Sequence, residues 1–142
     1  MADLGAIMDA LADQIANELQ PQIQNLQVDG RLIPSPTPPS IDVFPASPFQ
    51  EQVAMGRGNN EIYLTVRARV ATPDSEGAQD LLLRLMDPNS ATSLEQAIDA
   101  DSTLGGVVEY AVPEPPTDFG AFVDVGGNGA LLGCVWRVRV MP

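Results

Sequence analysis

Two stretches of this chain alternate so strictly that they leave little choice of fold. In "EIYLTVRARVAT", Ile62, Leu64, Val66, Ala68 and Val70 fall on one side of an extended chain. Glu61, Tyr63, Thr65, Arg67 and Arg69 fall on the other. In "LLGCVWRVRVM", Cys134, Trp136, Val138 and Val140 alternate with Arg137 and Arg139. A period of two is the signature of a strand with one buried face. Both stretches must therefore lie in a sheet that buries its apolar side and leaves four arginines on the far side.

Helical spacing accounts for what covers the apolar side. Leu4, Ile7, Met8, Leu11, Ile15 and Leu19 form one stripe, with Asp3 ahead of them, and Gln20-Pro21 ends the run. Ala78, Leu81, Leu82 and Leu85 recur at helical intervals behind Thr72-Pro73, a cap and first-turn pair. "TSLEQAIDAD" follows, with Thr92 and Glu95 spaced as a capping box and Leu94, Ala97 and Ile98 facing inward. "SIDVF" predicts a short strand that either belongs at an edge or is brief, because the prolines around it deny ladder donors. "FQEQVAM", the turn "GRGNN" and "EIYLTVRARVAT" predict a hairpin. "GGVVEYAV" and "GAFVDV" predict two more strands, with "GGNG" as the turn before the last one.

The expected fold class is α+β: a mainly antiparallel sheet with an N-terminal helix and one or two further helices packed on one face. A chain of 142 residues, 44% hydrophobic, fits one domain. Its divisions are an amphipathic helix at 1–20, a Pro-rich extended segment at 33–48 and a β-hairpin at 49–71. A helical segment at 73–101 and C-terminal strands at 106–141 complete it.

Composition narrows the chemistry. The chain has no histidine and no lysine, and its one cysteine is Cys134. Histidine triads, Schiff bases, a Walker lysine and zinc clusters are excluded. "GGNGALLG" precedes a strand, so it lacks the helix N-terminus of a phosphate loop. Asp9 with Asp13, and Asp99 with Asp101, read as solvated acidic faces. Trp136 and Cys134 read as core. We expect no enzyme, no metal and no cofactor. With 19 acidic residues against 7 arginines, the net charge of −12 opposes nucleic-acid adhesion. No apolar run spans a membrane, and the acidic N-terminus is unlike a signal peptide.

An arginine face on so acidic a chain needs carboxylates. Like charges directly opposite in a sheet cost about 0.2–1 kcal/mol per pair. Glu61 lies on that side by parity, and Glu109, between inward-facing Val108 and Tyr110, is a second candidate. Either the face is solvated with cross-strand ion pairs, or the carboxylates come from another copy. Arginine suits the second role because its planar fork pairs bidentately and is weakly hydrated. Head-to-tail packing of that kind closes into a ring when the rotation permits.

The succession of an amphipathic helix, a Pro-rich stretch, "VRARVATPDSEGAQDLL", "SLEQAIDADSTLGG" and "LLGCVWRVRV" resembles the tail terminator and tail-completion proteins of long-tailed bacteriophages. The resemblance covers nearly the whole chain and contains no catalytic signature. It implies a structural virion protein of the neck, made in the host cytoplasm, forming a homo-hexameric ring. Its implied partners are the tail tube protein and a head-side connector or stopper protein, with DNA passing through the lumen unbound. On the sheet argument, Arg67, Arg69, Arg137, Arg139, Glu61 and Glu109 are candidate subunit contacts. Gly56, Arg57, Gly58, Asn59 and Asn60 form a candidate inter-ring loop. The alternatives are a head-closure or stopper protein, or a monomeric module that binds an anion or protein on the arginine face. A carboxylate-based hydrolase or isomerase would need an acid-lined pocket that the sequence does not indicate.

Overall fold

The computed structural model describes residues 3–33, 38–52, 60–71, 76–123 and 130–142. Its elements run α1 (Leu4–Leu19), β1 (Gln27–Asp29), β2 (Ser40–Gln52), β3 (Asn60–Ala71), α2 (Glu76–Met86), α3 (Leu94–Asp99), β4 (Tyr110–Pro113), β5 (Thr117–Val123) and β6 (Ala130–Met141). The fold is α+β, with three helices packed against a curled, mostly antiparallel sheet.

Strand order is β1-β2-β3-β6-β4, with β5 also pairing β6 beyond the end of β4. β1 runs parallel to β2, and every other pairing is antiparallel. β3 and β6, the two alternating stretches, are the central neighbours. Their even-numbered residues, Ile62 to Val70 and Leu132 to Val140, join the core cluster against the helices. Trp136 is fully buried there, and Cys134 beside it.

α1 lays Ile7, Met8, Leu11, Ala12, Ile15 and Leu19 on this sheet. Full burial of each large aliphatic contributes about 1.5–3 kcal/mol. Asp3 is the N-cap, its carboxylate accepting from the Ala6 amide at 2.7 Å. α3 is capped by Ser93, whose hydroxyl accepts from the Gln96 amide, so the cap lies one residue later than the Thr92–Glu95 spacing predicted, and no reciprocal box forms because the Gln96 side chain donates to the Pro88 carbonyl. The Thr72-Pro73 cap and the "GGNG" turn lie outside the described residues.

Three strand boundaries differ from expectation. The "SIDVF" and "FQE" segments form one continuous strand, β2, which passes through Pro45 and Pro48 with a register shift between Pro45 and Gln50. A bulge absorbs the irregularity instead of ending the strand. "GGVVEYAV" is strand only from Tyr110, because Gly105 and Gly106 take positive φ in a turn that runs on to residue 107. That turn is built by Asp101, which accepts from the Thr103 hydroxyl and from the Thr103 and Gly105 amides. β5 starts at Thr117, earlier than "GAFVDV" implies.

Candidate functional site

All four arginines lie on the side of the sheet away from the helices, as parity requires. Register decides what each one meets. Arg67 stands opposite Val135 and Arg69 opposite Gly133, while Arg137 faces Thr65 and Arg139 faces Tyr63. No two arginines are cross-strand partners, so the like-charge penalty is avoided by stagger.

The decisive carboxylate is Asp42, on β2 directly opposite Arg67. Its Oδ1 accepts from Arg67 Nε at 3.2 Å. Its Oδ2 accepts from Arg67 Nη2 at 2.7 Å, from Arg69 Nη2 at 3.3 Å and from the Ile33 amide at 3.0 Å. Arg67 is thus held bidentately. The Ile33 carbonyl accepts from both guanidinium groups, at 2.5 Å from Arg69 and 3.4 Å from Arg67. The side chain of Asp42 is 0% exposed and that of Arg69 3%. Burial on a sheet face without helices is possible because the chain crosses over. Gly30 packs on α1, where a Cβ would meet Asp9 and the Met8 carbonyl, whereas Ile33 bonds to Asp42 on the other side. Between them the backbone passes from the helix side to the arginine side. Arg31 marks the passage with a surface ion pair to Asp9 at 3.0 Å.

A second, more open cluster lies at the other end of β3. Glu61 Oε2 sits 3.3 Å from Arg139 Nε and accepts from the Tyr110 hydroxyl at 2.8 Å. That bond, ahead of desolvation and the carboxylate's charge, raises the Tyr110 pKa above the ordinary phenol value. Arg137 lies over the Tyr63 ring at 3.8 Å, and Arg67 over Phe44 at 5.0 Å. Cation–π contacts of this kind contribute about 0.5–2 kcal/mol each. Between the clusters, Ala46, Thr65, Thr117, Val135 and Arg137 line a cleft of about 210 Å³.

Two candidates are placed differently from expectation. Tyr110 is not inward-facing: Ala111 takes the core position, and the Tyr110 hydroxyl reaches Glu61 on the arginine side. Glu109 precedes the strand, is exposed, and forms no ion pair with an arginine among the described residues. Gly56, Arg57, Gly58 and Asn59 lie outside the described residues, and Asn60 is the first residue of β3, paired with Gln52. Asp42 and Tyr110 are the residues that sequence reasoning missed. The aspartate of "SIDVF" shares its strand's outward parity, which is the signal that pointed to it. No protein-family model matches this chain, and no curated protein matches its sequence. No described helix is long and apolar enough to cross a membrane.

Proposed function

We propose that this chain is a structural protein of the neck of a tailed bacteriophage, a tail terminator that forms a ring capping the tail tube and joining it to the head connector. The observation that carries this reading is the two-sided sheet. Helices and core occupy one face, and the other presents half-exposed Thr65, Val135, Arg137, Arg139 and Glu61. A half-exposed, largely polar sheet face of this kind is suited to contact with another protein surface. The resemblance of the sequence to terminator proteins supplies the identity of that surface.

Arg67 and Arg69 are both bound within the chain by Asp42, so their part is to hold the face together. The residues offered for subunit contact are Arg137, Arg139 and Glu61. The remaining acidic surface would leave a ring lumen negative, and DNA would pass without adhering. The mechanism is steric: a docked ring ends polymerisation of the tube and offers its opposite surface to the head side.

The test is native mass against protein concentration, with electron microscopy of any large species, alone and with purified tail tubes. A hexamer-sized ring, or a ring on tube ends, supports the reading. A chain that stays monomeric and ignores tubes refutes it. The cleft beside Arg137 favours a second reading, a monomeric module whose arginine face takes a small anion or an acidic segment. That reading predicts saturable binding without any change in mass.

A further inference from the structure

The helix side of the molecule carries an opening that the arginine face does not explain. Gln22, Ile23, Pro39, Gly77, Leu81 and Arg84 line a cleft of about 460 Å³ between the turn after α1 and the outer face of α2. Two features of this cleft point outward. No ion pair holds Arg84 among the described residues, whereas Arg31, Arg67, Arg69 and Arg139 are each paired within the chain and Arg137 rests on Tyr63.

Gly77 is the second feature. Glycine weakens a helix, and it persists where a positive φ or a close internal approach demands it. Neither holds here. Gly77 has no positive φ, and a Cβ built on it would meet nothing within 4 Å. Among the described residues the missing side chain serves no contact, and its absence leaves the floor of the cleft open.

We propose that this cleft is a socket for a second copy of the same chain, which seats an apolar side chain on Ile23 and Leu81 and presents a carboxylate to Arg84. Charge complementarity selects the occupant. At a net charge of −12, copies repel over most of their surface. Arg84, with no ion pair among the described residues and with Leu81 beside it, gives a carboxylate of a copy a positive group to meet, although Asp80 and Asp87 flank it, and carboxylates are what the chain's own surface has in excess. Socket and inserted segment differ, so the contact is heterologous and propagates head to tail. This inference deepens the ring reading and rests on it, by locating one side of the subunit contact.

The experiment is sedimentation of full-length protein over a concentration series, repeated with purified tail tubes, for the wild type, Arg84→Glu and Gly77→Leu. Leucine is a better helix former than glycine and has open space around it, so Gly77→Leu should melt no lower than wild type while filling the socket. The expected result is self-association weakened at least tenfold by each substitution, with melting unchanged or raised. If the wild type associates and both variants associate equally well, the socket assignment is overturned while the ring reading stands. A wild type that associates neither alone nor on tubes overturns both.

Discussion

Asp42 and Arg69 lie 3.3 Å apart, oxygen to nitrogen, on neighbouring strands, and both side chains are shut off from water. The pair belongs to a cluster of two guanidinium groups, one carboxylate and the peptide of Ile33. A buried charge cluster adds little to stability over an apolar substitute, but removing one partner is expensive. The cluster's structural effect is to tie the crossing segment at Ile33 to the sheet.

Asp42→Ala therefore strands two arginines without their counter-charge. The expected loss is about 3–5 kcal/mol of unfolding free energy, read from urea denaturation. Arg67→Ala leaves Asp42 with Arg69 and Ile33, and should cost less. Equal losses from the two substitutions would show that the cluster does not centre on Asp42.

The Glu61–Tyr110 bond gives a spectroscopic handle. The Tyr110 phenol is held protonated above its ordinary range by the carboxylate that accepts from it. The folded chain thus keeps a proton that the unfolded chain releases. The associated stability is complete below the ordinary phenol pKa and is lost as pH rises through the folded value. Glu61→Gln should move one of the two tyrosine titrations, followed by phenolate absorbance, to lower pH.

Burial pushes the Cys134 thiol up from 9.0 to about 12. Since the thiolate is the reactive form, native protein should resist alkylation at mildly alkaline pH and react fully once unfolded. The sign for stability follows from the same shift. The contribution of this group is intact below about pH 9 and is lost as pH climbs toward 12, because only the unfolded chain ionises there. Rapid labelling of the native protein would place Cys134 outside the core.

Gly30 is needed where the chain leaves α1 for the other face. A Cβ there would lie 2.6 Å from Asp9 Oδ1 and 3.2 Å from both the Asp9 Cα and the Met8 carbonyl oxygen. The side-chain oxygen can move aside, but the α1 backbone cannot. Gly30→Ala should cost about 1–3 kcal/mol, measured by thermal or urea unfolding, as overpacking does elsewhere.

The alternation in β3 and β6 was sufficient, by itself, to determine which residues enter the core and that four arginines share the opposite side. The stripe on α1 was equally legible, because parity and helical period are local properties of the backbone; that Asp3 caps the helix was shown only by the structure. What those arginines meet was decided only in three dimensions. Register sets Arg67 opposite Asp42 and offsets it from Arg137, and register depends on pairing between distant segments. The crossing at Gly30–Ile33 buries Asp42 and Arg69 on a face that parity alone would leave in water. Tyr110 reaches Glu61 because its strand begins only after the turn that Asp101 nucleates, with Ala111 taking the core position. The cleft over Gly77 exists because the turn after α1 and the outer face of α2 meet in space, with more than fifty residues of chain between them. A sequence states which side chains point the same way; packing between remote segments decides which of them touch.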